Sequence, residues 1–496
     1  MKIKLAKEDR TMNYKIQLKN FSLENKLIKI LEKNNIFYKK TEYFKDFFSY
    51  KLLNINSKII DLLKNEAEDY IESIRPISFY SLPLKIDREE GYIEPICPER
   101  NKNYTTLGIL DNGISQIKQL SPWIRKVHTR FLKKDTSCTH GTFVAGIALY
   151  GDKLEGKEIV INEAFNLLDS TVLHSGKIEE DDLIKNIALA IEENHKVAKI
   201  WNLSLSVKLD IDDNKMSDFG IVLDYLQKKY GILICKSGGN DGNFMKDLPK
   251  KKLYHGSDSL MALVVSSINN KNFSSNFSRL GLGVKNTIKP DITSYGGELF
   301  KEADGIMGMN GVKSLSIDGE VCSSAGTSFA TARISGLATI IYQNICKDFK
   351  NFSDFDANLI KALIIHSAKN INKDLTVEEI GFGLPSTSKE ILSYLSNKNI
   401  KIISGEIKEN FVIDLDSSFF DYKKNIKIKC TLVYETEFDY FQKENYILSD
   451  IKIKNFSENG ENLVRKFEAN ISNNQAIELY SNNDIKKKFT LIIEKN

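Results

Sequence analysis

Ser323-Ser324-Ala325-Gly326-Thr327-Ser328-Phe329-Ala330-Thr331-Ala332 sets small residues before a serine and an apolar segment after it, continuing through Ile334, Gly336, Leu337 and Ile340. This pattern predicts a tight loop that delivers Ser328 to the first turn of a buried helix, because small residues let backbones approach closely. The first N–H groups of a helix lack intrahelical acceptors and sit at its positive end, so an oxyanion forming beside Ser328 would be stabilised there. A serine at a helix start is also an ordinary cap, so the reading depends on what stands elsewhere in the chain.

Two further segments supply what a hydrolytic serine needs. Gly108-Ile109-Leu110-Asp111-Asn112-Gly113 puts a carboxylate at the end of a short apolar run. Thr139-His140-Gly141-Thr142-Phe143-Val144-Ala145-Gly146 puts a histidine where a helix begins. The serine requires a base for its proton, and the base requires a carboxylate to orient it and to stabilise imidazolium. The three lie too far apart in sequence for local contact, so the fold must bring them together. A fourth segment, Ser237-Gly238-Gly239-Asn240-Asp241-Gly242, offers the Asn240 amide as a donor for developing negative charge.

Composition bounds the rest. The 496 residues exceed one ordinary domain and suggest two or three. With 42% hydrophobic and 27% charged residues the chain is globular. A net charge of +4, from 70 basic and 66 acidic residues, gives no nucleic-acid footprint. The stretch Met1–Arg10 has no signal-peptide core, and no apolar run approaches the ~18 residues of a membrane helix. Six scattered cysteines show neither CxxC spacing nor a disulfide framework, and no Asp-rich calcium loop stands out. These features predict a cytoplasmic protein with no metal, no cofactor and no membrane association.

Residues 1–77 read as β-α-β-β-α-β, the order of a ferredoxin-like α+β domain. Strands are expected at Tyr14–Leu18, Ile36–Tyr43, Phe47–Leu53 and Tyr70–Ile77, and helices at Leu23–Glu32 and Ser57–Asn65. Residues 78–103 hold three of the chain's eight prolines, Pro83, Pro95 and Pro98, and read as an extended linker. Across 104–398, apolar strands (Leu107–Leu110, Ile159–Phe165, Ile200–Ser206, Ile232–Lys236, Leu263–Ser267) alternate with helices (Phe143–Tyr150, Asp181–Asn194, Asp218–Tyr230). That alternation predicts an α/β domain, a parallel sheet flanked by helices with its site at the carboxyl ends of the strands. From 399 to 496 helical patterns vanish and short strands predict a β-sandwich.

The Asp111-Asn112-Gly113, His140-Gly141-Thr142 and Gly326-Thr327-Ser328-Phe329-Ala330 segments together resemble the three signatures of the subtilisin-like serine proteases, in the Asp, His, Ser order that the family is known for. Ile200-Trp201-Asn202-Leu203-Ser204-Leu205-Ser206 resembles that family's substrate strand, and Lys289-Pro290-Asp291-Ile292 its Lys-Pro-Asp turn. The resemblance spans about residues 104–395. It implies a serine endopeptidase in which Ser328 attacks, His140 is general base, Asp111 orients it and Asn240 stabilises the oxyanion. It also implies that Ser204, Leu205 and Ser206 bind substrate backbone, with Gly238 and Gly239 as the opposite wall of the primary pocket. The substrate would be a protein or peptide. The N-terminal region resembles the family's prodomain, and some relatives are thought to work with a regulatory partner such as an ATPase, which together imply an enzyme held inactive until released. A catalytically silent scaffold that binds peptides in the same cleft is the alternative. Three departures stand out. Asn112 replaces the usual Ser or Thr and is expected to hydrogen-bond Asp111, Ala332-Arg333 replaces Pro-His and should straighten the helix, and Phe143 replaces a histidine.

Overall fold

The N-terminal elements β1 (Met12–Leu18), α1 (Glu24–Lys33), β2 (Tyr38–Phe44), β3 (Phe47–Ile55), α2 (Ser57–Ala67) and β4 (Ile71–Pro76) follow the expected alternation. They belong to a computed structural model that describes residues 11–80, 85–159, 163–348, 355–415, 419, 425–454, 463–472 and 476–495. The expectations for residues 1–10 fall outside that range. The strands pair antiparallel in the order β2-β3-β1-β4. Strand alternation gives this sheet two different faces. Ile16 and Leu18 pack under α1 and α2 with Leu27, Leu31 and Leu63. Lys15 and Gln17, one residue out of phase, face the next region of the chain instead of solvent, where they meet Asp181 and Asp218.

After β5 (Phe79–Tyr80) and β6 (Asp87–Arg88) the chain builds its largest unit. The strands are β7 (Thr106–Asp111), β8 (Ile124–Thr129), β9 (Asn166–Thr171), β10 (Ile178–Glu179), β11 (Ile200–Leu203), β12 (Val207–Asp210), β13 (Leu233–Ser237), β14 (Tyr254–His255), β15 (Leu263–Ile268) and β16 (Ile292–Tyr295). Interleaved with them are α3 (Thr139–Glu155), α4 (Glu180–Asn194) and α5 (Asp218–Tyr230). Two hairpins follow, β17 (Glu298–Lys301) with β18 (Met307–Asn310) and β19 (Val312–Leu315) with β20 (Val321–Ser324). Two helices, α6 (Thr327–Asp348) and α7 (Ala357–Ser367), close the unit. Seven strands form one parallel sheet in the order β16-β15-β13-β11-β7-β9-β8. One face packs on α3, α6 and α7, the other on α4 and α5. Burial on both faces explains why Leu107–Leu110 and Leu263–Val265 are continuous apolar runs instead of alternating ones. The strand expected at 159–165 lies further on, at β9, and residues 160–162 are outside the described range.

The C-terminal strands are β21 (Ile400–Ile407), β22 (Asn410–Ile413), β23 (Asn425–Tyr434), β24 (Ile451–Ile453), β25 (Val464–Ser472), β26 (Ile477–Ser481) and β27 (Lys487–Lys495). They form two antiparallel sheets, β21-β27-β23-β25 and β22-β26-β24. Leu491 and Ile493 of β27 turn into the core shared with Leu479 and Ile451, while Ile492 turns the other way, into the core that contains α7. The chain thus combines a helix-flanked parallel sheet with strand-rich regions at both ends.

Candidate active site

Asp111 is the last residue of β7, buried, and His140 lies in the first turn of α3. His140 Nδ1 sits 2.9 Å from Asp111 Oδ1 and 2.8 Å from Oδ2. A carboxylate only accepts, so Nδ1 carries the proton and Nε2 of the neutral ring keeps a lone pair for another partner. Close approach of the two segments requires glycine at 141, where a Cβ would fall 2.3 Å from the Gly113 carbonyl oxygen. The Asn112 side chain does not bond Asp111. Its Oδ1 accepts the Gly141 N–H (2.9 Å) and its Nδ2 donates to Ser137 Oγ (2.7 Å), so it ties the β7 loop to the start of α3. The hydrogen bond to Asp111 comes instead from the Asn112 backbone N–H, at 2.8 Å.

Ser328 enters the same cleft from the first turn of α6. The cleft is about 780 Å³ and is lined by His140, Ser204, Asn240 and Ser328 among others. Ser328 Oγ donates to the Ser204 carbonyl at 3.2 Å, while its own carbonyl accepts from Ser204 Oγ at 3.0 Å. In this arrangement the hydroxyl proton goes to the Ser204 carbonyl and not to His140 Nε2. Catalytic hydrogen bonds are often unmade in ligand-free sites and tighten on substrate binding.

Asn240 stands after β13, facing Ser328. Its Oδ1 accepts both the Thr327 N–H (3.0 Å) and the Thr327 hydroxyl (2.8 Å). Because a backbone N–H can only donate, this pairing fixes the amide orientation. Nδ2 has no acceptor among the described residues and is left as a donor at the cleft. The Ser328 N–H, in the first turn of its helix, has no intrahelical acceptor either.

The five residues expected to hold substrate divide. Ser204, Ser206 and Gly239 line the cleft. Leu205 is fully buried in the core that includes α4 and α5, and its side chain does not line the cleft. Gly238 is also absent from the lining, its N–H donating to the Val265 carbonyl and its carbonyl accepting from the Tyr254 N–H. A pocket wall alternates residues toward and away from the cleft, and the sequence motif alone does not reveal which phase faces in.

Three groups in and beside the site have supporting contacts that the sequence does not disclose. Thr327 anchors Asn240. Asp169 of β9 accepts the Ile114 N–H at 3.1 Å, which holds the loop after Asp111. Burial pushes its carboxyl up to about 6. Arg333, where the family has histidine, is buried and ion-paired with Asp152 and with Glu155 (2.8 Å) of α3. Cys322 is buried, with its thiol pushed up to about 12, and Cys138 is half-buried outside the cleft lining. Among the described residues no cluster of three His, Cys, Asp or Glu side chains is placed to hold a metal ion, and no helix is long and apolar enough to cross a membrane.

The sequence profile of the subtilase family matches residues 102–383. Among solved structures, the chain is similar to the epidermin leader peptide processing serine protease EpiP of Staphylococcus aureus. With its S393A mutant the identity is 16% and the TM-score 0.51, over 78% of this chain and 100% of that one. With the unmutated EpiP structure the identity is 17% and the TM-score 0.50, over 78% and 99%. At such identities the likeness is one of fold. No curated protein matches the chain.

Proposed function

The chain belongs to the subtilase family and is a serine endopeptidase, and we propose that Asp111, His140 and Ser328 are its catalytic triad and Asn240 its oxyanion donor. The observation that carries this assignment is the His140–Asp111 pair, which leaves Nε2 free in a cleft shared with Ser328 and an anchored amide. In the reaction, Ser328 Oγ leaves the Ser204 carbonyl, gives its proton to His140 Nε2 and attacks the scissile carbonyl. The Asn240 Nδ2 and Ser328 N–H groups receive the oxyanion. His140 then protonates the leaving amine, and water repeats the sequence on the acyl-enzyme. Substrate backbone extends along Ser204–Ser206 by strand addition. We infer that the chain is held back until a partner or signal frees the cleft. Tyr80 and Lys85 both line it, and residues 79–80 and 87–88 are paired into strands on either side.

A fluorophosphonate probe tests the assignment. Wild-type protein is expected to label and Ser328→Ala to stay dark; equal labelling of the variant overturns it. Labelling that appears only with cell extract supports the restrained state, and labelling in neither condition favours the silent scaffold. A fully active preparation that still begins at Met1 and needs no extract argues against restraint.

A further inference from the structure

Lys236, in β13 directly before the Ser237–Asn240 wall, is completely buried and reaches no carboxylate among the described residues. Its ammonium donates to Ser206 Oγ (2.7 Å) and to the Ser237 carbonyl (2.6 Å). Three other buried cations of this chain sit against carboxylates. Lys15 meets Asp181 at 2.6 Å, Lys289 meets Asp291 at 2.6 Å and Arg333 meets Glu155 at 2.8 Å. The carboxylate that bears most on Lys236, Asp258, is committed to the N–H and hydroxyl of Ser217 and to the Gly256 N–H. A buried charge without a counter-charge is costly, and burial pushes the Lys236 amine down to about 7.

Hydrogen-bond polarity then decides what the cleft presents. When Lys236 is protonated, the form that an anion in the cleft favours, its ammonium only donates, so Ser206 Oγ accepts and the Ser206 proton has no acceptor among the described residues. Ser206 lines the cleft, so that proton is offered to whatever occupies it, on an oxygen polarised from behind by a cation. Lys208 and Lys251 line the same cleft, are exposed and meet no carboxylate among the described residues. Asp241, the acidic side chain of the lining, accepts the Asn243 and Lys251 N–H groups. Ser206 stands two residues beyond Ser204, whose carbonyl holds Ser328 Oγ. Along extended backbone that is roughly 7 Å, the reach of the side chain next to the scissile bond.

We propose that the pocket lined by Ser206, with Lys236 buried behind its hydroxyl, selects an acidic side chain, so that the enzyme cuts peptides after Glu or Asp. The substrate carboxylate accepts from the Ser206 hydroxyl and supplies the counter-charge that Lys236 lacks. This deepens the endopeptidase reading above and rests on it. The test uses quenched fluorescent peptides identical except for Glu or Gln at that position, with the full chain in a preparation whose Ser328 labels with fluorophosphonate. The expected kcat/KM for Glu exceeds that for Gln by about tenfold or more, the size of one charge-assisted hydrogen bond. That ratio falls to near one in Lys236→Met and in Ser206→Ala. Because the ratio is internal to each preparation, a partly misfolded variant does not mimic the result, and the wild-type ratio decides the matter if neither variant folds. Equal cleavage of both peptides by wild type, or a ratio kept in both variants, overturns the acidic pocket and leaves the endopeptidase intact. Failure to label Ser328 or cleave any peptide overturns both.

Discussion

Thr327 and Ser328 are neighbours with separate tasks: one anchors the Asn240 oxygen, the other carries the hydroxyl proposed as nucleophile. Their adjacency makes the donor geometry testable in two steps. Asn240→Ala removes the proposed oxyanion donor and is expected to lower kcat by about 10²–10³ with little change in KM. Thr327→Val leaves Asn240 in place but takes away one of the two bonds that orient it, so a smaller loss, on the order of tenfold, is expected, and Thr327→Ser should restore it. A KM change without a kcat change in either variant would mean that Asn240 binds substrate and does not serve the transition state. Chemistry made the residues themselves readable, since an alcohol, an imidazole, a carboxylate and an amide must be those types wherever the fold puts them. Supporting residues are not marked in that way. Thr327 is one threonine among many, Asn112 turned out to bridge to Gly141 instead of bonding Asp111 through its side chain, and Lys236 looks in sequence like any surface lysine.

At the scale of the element, α6 runs unbroken from Thr327 to Asp348, as the loss of a proline led one to expect. What was not legible is why arginine stands next to that position. Arg333 reaches across to Asp152 and Glu155 and pins the helix that carries Ser328 to the helix that carries His140. Arg333→Met removes the cation that Asp152 and Glu155 share at a poorly hydrated contact, Glu155 keeping Lys157 at 3.2 Å. The expected cost is about 3 kcal/mol, read as a lowered Tm, and a smaller kcat loss from drift between the helices. Partial recovery of Tm on adding Asp152→Asn would show that the lost ion pair, and not lost packing alone, is the cause. Sheet elements were legible where both faces are buried, as at Leu263–Val265. Edge strands were not: β8, Ile124–Thr129, interleaves Arg125, Lys126 and His128 with apolar residues and carries no uniform apolar signal.

Over the whole molecule, charge holds the three regions together, and each contact has its own pH window. Lys15 of the N-terminal sheet, buried to 1% exposure, meets Asp181 (2.6 Å), Asp218 (3.0 Å) and Glu180 (3.1 Å), while Lys443 from the C-terminal region adds a bond to Asp218 (2.9 Å). Burial alone would raise Asp181 and Asp218, but the lysines outweigh it and hold both below the ordinary carboxylate range. Carboxylates lowered in this way stabilise the fold above their ordinary value near 3.8 and lose that contribution only in stronger acid. The other contact behaves differently. His366 of α7 is fully buried, its ring nitrogens 2.9 Å from Thr431 Oγ1 and 3.2 Å from Glu494 Oε2 in the C-terminal sheet. Burial lowers it from 6.5 to about 4. Between those values the unfolded chain binds a proton that the folded one refuses, so stability rises with pH across the window and falls on acidification. The full shift corresponds to about 3 kcal/mol. Asp169 and Asp224, raised by burial to about 6, tilt the opposite way over much of the same range, because the folded chain keeps protons that the unfolded one releases. The wild-type profile alone is therefore nearly uninformative, and the difference between wild type and His366→Gln isolates the histidine. That variant should lose less Tm than wild type between pH 7 and pH 4, by several degrees, with the curves parallel below pH 4 where the Lys15 cluster dominates both. Parallel curves throughout would show that His366 protonates without strain, and that other contacts, such as Val433, Ile492 and the Lys466 bond to the Ile365 carbonyl, hold the C-terminal sheet to α7.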